Sequence, residues 1–242
     1  MLQGLFNYDN PVWRFIGKLG DLMILNLLWC ICSIPVFTIG ASTTAVYYVT
    51  LKLVRDEDDS TIKGFFHSFK ENFRQATAIW LILLAAGALL GFDFWFFFTG
   101  HMSVSGTARL VISAVFGGML LILLFIAAYV FPLQSRFYNP VKRTLFNAFF
   151  MSVRHLLQTI GILGIDVFIA ACAYLTLFYL PQMSVLLILF GFPLIAFVNS
   201  FFFNVIFKKY MPEERKREES IRPLFEEEDS EVDAAIENLK NQ

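Results

Sequence analysis

Leu22–Leu51, LMILNLLWCICSIPVFTIGASTTAVYYVTL, is thirty residues without one charged side chain, and Val167–Phe207 extends the same feature over forty-one. About 20 predominantly apolar residues cross a bilayer as a helix, and a soluble chain of 242 residues has no use for apolar runs of this length. The chain reads as an all-α, polytopic membrane helix bundle. The first run is too long for one crossing: from Phe15 to Arg55 a continuous helix would measure about 60 Å, twice the hydrocarbon thickness. Pro35 and Gly40 lie in its middle, and proline inside a helix removes a hydrogen bond and clashes with the preceding turn. The expectation is a hairpin, 15–34 in and 38–55 back, with Pro35 and Gly40 at the turn. The alternative is a single span there.

The composition agrees. Hydrophobic residues make up 57% of the chain and charged ones 16%, against roughly 45–50% and 25% in soluble domains. The net charge of −1 divides unevenly: residues 1–207 carry 12 Lys or Arg and 9 Asp or Glu, and the last 35 carry 7 and 11. No basic excess points to nucleic acid. The organisation read from this is a bundle over 1–210 and a charged cytoplasmic tail over 211–242. The first run exceeds the 7–15-residue core of a signal peptide and reads as a retained anchor.

Four further segments read as spans: 76–98, 110–132, 160–180 and 184–207, the last two divided by Pro181-Gln182. With the hairpin the count is six, and five if the hairpin is one span. Six spans gather Arg14 and Lys18, the loop from Lys52 to Arg74, the loop from Arg136 to Arg154, and Lys208 and Lys209 on one face. Lys and Arg accumulate on the cytoplasmic side, so both termini are expected there, in a cell membrane.

The two basic loops echo each other. Phe65-Phe66-His67-Ser68-Phe69-Lys70 recurs 84 residues later as Phe149-Phe150-Met151-Ser152-Val153-Arg154, which suggests a parallel internal repeat, an architecture known among transporters. Each loop reads as an amphipathic elbow helix. In the first, Ile62, Phe65, Phe66, Phe69 and Phe73 form one face and Lys63, Lys70, Glu71 and Arg74 the other; in the second, Leu145, Phe149, Val153 and Leu156 oppose Lys142, Arg143 and Arg154. Such helices lie in the headgroup layer or dock a cytoplasmic partner, in which case Lys70, Arg74 and Arg154 are the candidate contacts.

Ionisable and amide side chains at membrane depth are costly and mark candidate sites. Asp166 lies about two turns into its span; Asp21 and Asn26 sit in the first, Asn199 and Asn204 in the last, and Arg136 closes the fourth. On the six-span topology they form a cytoplasm-facing polar cavity, with Arg136 or Lys18 as partner for Asp166. The plainer reading is a set of interhelical hydrogen bonds that hold the bundle together. Cys30, Cys32 and Cys172 fall in apolar runs without zinc-site spacing. No metal, cofactor or enzyme signature is recognisable, so no catalytic residues are assigned.

The hairpin carries a further string. Asn26-Leu27-Leu28-Trp29, the block Cys32-Ser33-Ile34-Pro35-Val36-Phe37-Thr38-Ile39-Gly40-Ala41-Ser42-Thr43-Thr44-Ala45 and Tyr47-Tyr48 resemble the YesL family of bacterial membrane proteins. Lys63, Phe65-Phe66, Ser68-Phe69-Lys70, Asn72-Phe73 and Gln75-Ala76 continue the match. The family has no assigned function and supplies no site residues. The resemblance implies a multi-pass protein of Gram-positive bacteria, encoded beside carbohydrate-uptake genes. Two functions follow as expectations. One is an accessory component whose partner is a carbohydrate import permease. The other is a small self-contained transporter or facilitator with a polar cavity around Asp166, and a homo-oligomer is compatible with it.

Overall fold

A computed structural model describes residues 11–211 apart from 58–59, 100–105, 180–181 and 183. The expected tail and Pro181 fall outside the described residues. Among the described residues seven α-helices follow one another: α1 Pro11–Cys32, α2 Ile39–Val54, α3 Thr61–Phe98, α4 Gly106–Arg136, α5 Val141–Arg154, α6 Leu156–Tyr179 and α7 Ser184–Lys208. No strand occurs among the described residues. Five of these helices, all but α2 and α5, are long and apolar enough to cross a membrane. The chain is therefore a membrane-type helical protein. α2 has 16 residues, about 24 Å, and falls short of that length.

The hairpin forms as the sequence implies, with one correction. α1 stops at Cys32, Pro35 follows in an extended conformation, and a single 3₁₀ turn, Val36–Thr38, leads into α2. Thr38 Oγ1 lies 2.5 Å from Cys32 O and 2.6 Å from Pro35 O, so one hydroxyl proton is shared between a carbonyl at the end of α1 and one that already accepts from Thr38 N–H at 2.9 Å. Trp80 of α3 donates its indole N–H to Val36 O at 2.8 Å. Gly40, expected to supply the tight return, is instead an ordinary helical residue of α2. Its role is close packing: a Cβ there would stand 2.5 Å from Ala76 O and 2.6 Å from Trp80 Cβ.

α1 and α2 run antiparallel. Trp29 Nε1 donates to Thr43 Oγ1 at 3.3 Å near the turn, and Lys18 Nζ meets Asp56 Oδ1 at 2.6 Å at the far end. The hydrogen bond from Lys18 holds the Asp56 carboxyl below the usual carboxylate range. A depressed carboxylate stabilises the fold above its unfolded pKa, and that contribution is lost as pH falls through the folded value. Asp56 is 54% exposed, so the pair is worth less than about 1 kcal/mol. Asp56→Asn is expected to shift the thermal midpoint only slightly at neutral pH, with the difference from wild type vanishing in acid. A large shift at neutral pH that vanishes in acid would show that the pair holds the hairpin closed.

α2 is the centre of the bundle. From Gly40 to Leu51 every residue except Tyr48 is buried. Its hydroxyls are satisfied locally, Ser42 to Thr38 O at 3.2 Å and Thr44 to Gly40 O at 2.9 Å, so small polar residues permit close helix approach without orphaned donors. In the first half of α3, Gly64, Phe65, Ser68, Asn72 and Ala76 are buried, and Ala76 packs against Gly40 of α2. The stretch drawn as a separate first elbow is thus the start of one 38-residue helix. Beyond Trp80, level with the hairpin turn, α3 continues for about 27 Å.

α5 is a separate helix. Thr144, Ala148, Met151 and Ser152 are buried, and Val153 and Leu156 of the expected apolar face are exposed. α4 runs through Pro132 to Arg136, past the expected end. There Gln134 Nε2 donates to Asn72 Oδ1 at 3.0 Å and Gln75 Oε1 at 2.7 Å, and Thr144 Oγ1 donates to Gln134 Oε1 at 3.2 Å. This carboxamide network joins α3, α4 and α5.

The described chain divides into two compact units, residues 1–202 and residues from 203 on. The second holds the last turns of α7, where Phe203 and Phe207 stack with centroids 5.7 Å apart.

Candidate functional site

Asp166 lies near the middle of α6, half-buried. Asn199 of α7 donates its Nδ2 to Asp166 Oδ1 at 2.7 Å and is within hydrogen-bonding reach of the Tyr47 hydroxyl of α2. Among the described residues no Lys or Arg forms an ion pair with Asp166. Lys18, one expected partner, is engaged by Asp56, because the antiparallel hairpin carries it to the end of α2. Arg136, the other, is half-buried at the last residue of α4. The carboxylate is thus held by a neutral donor, Asn199 of α7.

One turn further along α2, Thr50 Oγ1 and Ser200 Oγ share a hydrogen bond at 2.8 Å. Ser200 also bonds Ala196 O at 2.7 Å. These contacts fix α7 against α2 beside Asp166.

α7 is broken. Gly191 has φ 33° and ψ −131°, and Pro193 follows, which lacks the N–H that would continue the ladder. In an unbroken helix Ile188 O would accept from Phe192 N–H; here Asn26 Nδ2 of α1 donates to Ile188 O at 2.7 Å. Asn26 is 3% exposed and its carboxamide lies flat against Gly191, with Oδ1 2.5 Å from where a Cβ would stand. Phe192 stacks on Trp29 with centroids 5.1 Å apart and meets Tyr47 edge-on at 6.0 Å. Irregular backbone at membrane depth persists only where protein or a polar cavity satisfies it, and Asn26 meets that requirement.

The six expected cavity residues do not form one cluster. Asp166 and Asn199 come together. Asn26 sits at the α7 break, beside an open groove of about 550 Å³ lined also by Met23, Leu27, Ile62 and Ile188. Asp21 accepts from Thr61 Oγ1 at 2.6 Å and ties α1 to the start of α3. Asn204 belongs to the second unit. Tyr47, Ser200 and Gly191 were not singled out from the sequence. Gly191-Phe192-Pro193 carried a usable signal, since Gly and Pro two apart punctuate a helix; the hydroxyls carried none.

Two buried carboxamide oxygens, Asn26 Oδ1 and Asn199 Oδ1, lack a hydrogen-bond partner; Asn199 is 1% exposed. Each can accept from a ligand's donor. Among the described residues no three His, Cys, Asp or Glu side chains converge to hold a metal ion.

Residues 22–94 match the family model described as "Protein of unknown function, DUF624". Over 170 residues the chain is 25% identical to "Uncharacterized protein YesL" of Bacillus subtilis (strain 168), covering 68% of this chain and 78% of that protein. Together these support a YesL-like family of unknown function, in agreement with the resemblance read from the hairpin. No solved structure matches the chain significantly.

Proposed function

We propose that this YesL-like membrane protein is a small self-contained carrier or facilitator of the cell membrane, with the Asp166–Asn199–Tyr47 cluster as its ligand or coupling site. The observation that carries the reading is a carboxylate inside an apolar helix, held by the neutral Asn199 carboxamide, next to a helix broken at Gly191. Transporters place their sites where discontinuous helices expose backbone and polar groups near the membrane middle. The unpartnered Asn199 Oδ1 supplies an acceptor on the same side chain that holds Asp166.

In this reading α2 is a sixth crossing, short because protein surrounds it on every side, and both termini are cytoplasmic. The parallel repeat is part of the proposal. Gly64 and Ser68 of α3, and Ala148 and Ser152 of α5, stand 84 residues apart and all face inward. The cluster is proposed as a binding rather than a catalytic centre. The accessory reading, with a carbohydrate import permease as partner, draws its support from the resemblance.

The test is transport by the full chain in liposomes loaded with a mixture of labelled sugars, amino acids and organic acids. At least one solute is expected to leave faster than from empty liposomes. Asp166→Asn should return that rate to the empty-liposome level with the same amount of protein incorporated. Undiminished efflux through Asp166→Asn would remove Asp166 from the site. No efflux by wild type, together with a stoichiometric permease in extracts of the native membrane, would overturn the carrier reading in favour of the accessory one.

A further inference from the structure

We propose that the outward face of α5, with the connection from α4, binds anionic lipid headgroups and lays its aromatic stripe against their acyl chains. From Phe94 to Ile165 the sequence contains no Asp or Glu, yet Arg136, Lys142, Arg143 and Arg154 fall within a short stretch of it. α5 turns Thr144, Ala148, Met151 and Ser152 inward and leaves Phe146, Phe150 and Val153 pointing out. Phe146 is 60% and Phe150 52% exposed, with ring centroids 4.3 Å apart. Tyr138, 87% exposed, and Leu157, 85% exposed, extend the stripe at either end. Lys142 and Arg143 are exposed at its first turn.

An aromatic stripe of this size is normally covered, and this chain has five helices able to cross a membrane. Charge decides what covers it. Cations with no carboxylate near them in sequence match the phosphates of an anionic leaflet, and a helix with an apolar stripe flanked by Lys and Arg sits at the boundary between headgroups and acyl chains. The corresponding part of α3 differs, since its Lys63, Lys70 and Arg74 share a face with Glu71, which pairs with His67 at 3.4 Å. The preference is therefore assigned to α5.

The full chain, purified in non-ionic detergent, is titrated with phosphatidylglycerol or phosphatidylcholine, and retained lipid is counted by native mass spectrometry. Phosphatidylglycerol should be retained in preference. Each cation near an anionic surface contributes roughly fivefold, so Lys142→Gln/Arg143→Gln should cut the preference about tenfold or more, and Lys63→Gln/Lys70→Gln should leave it. Where the double variant loses helix content, Lys142→Gln alone gives the same reading at about fivefold. Equal retention of both lipids by wild type, or a preference unchanged in the α5 variants, overturns the proposal. Binding of polyglutamate by a wild type that shows no lipid preference would make the face a docking site for an acidic protein, and would equally overturn it.

Discussion

Gly40→Val is expected to prevent the hairpin from closing on α3, leaving a protein that is not recovered as a monodisperse species from detergent. Even an alanine Cβ would stand 2.5 Å from Ala76 O and 2.6 Å from Trp80 Cβ. Both obstacles belong to the α3 backbone or its first side-chain atom, so no rotamer change relieves them. Overpacking at a well-packed contact costs about 1–3 kcal/mol and occasionally more, which sets the expectation for Gly40→Ala; the two further methyls of valine add to it. Separation of the helices would also break the Trp80–Val36 hydrogen bond that closes the turn. Gly91 in α3 has nothing within 4 Å of its would-be Cβ, and Gly91→Ala should be neutral or stabilise by up to about 1 kcal/mol. The check is thermal unfolding followed by circular dichroism, with gel filtration for dispersity. Equal midpoints for Gly40→Ala and Gly91→Ala would refute the close contact.

Gly191→Ala is the second large effect. The φ of 33° at Gly191 lies where L-residues are strained by about 1–3 kcal/mol, and the new Cβ would collide with Asn26 Oδ1 at 2.5 Å. The collision is with a side-chain tip, but one pinned by its bond to Ile188 O and buried on all sides. A double-mutant cycle separates the two causes. Asn26→Ala alone leaves Ile188 O unsatisfied, a loss of about 1–3 kcal/mol. In that background Gly191→Ala retains its backbone cost but loses the steric one, so the double variant should be less destabilised than the sum of the singles. Strict additivity would mean that Asn26 and Gly191 do not constrain each other, and would weaken the case that α7 is held open there.

The sequence made the hairpin legible because proline has one meaning inside a helix, and Pro35 does break the chain where expected. It misassigned Gly40, because a glycine near a turn looks the same whether it supplies a backbone conformation or merely the absence of a side chain. Asp166 was legible as a costly group in an apolar run, yet its partners were not. Lys18 seemed available by charge, but helix direction delivers it to Asp56, while Asn199 and Tyr47 come from helices 33 and 119 residues away in sequence.

By itself the sequence determined that this chain is helical, membrane-embedded and folded back on itself near Pro35, since run length and backbone chemistry suffice for those conclusions. Only the tertiary structure decided which face of each helix turns inward. In water a polar face marks the outside. Against lipid the outside is as apolar as the core, so Phe146 and Phe150 can face out while Thr144, Ser152 and Asn199 face in. The periodicity of polarity then locates a helix face without saying which way it points, and contacts between distant residues settle the direction.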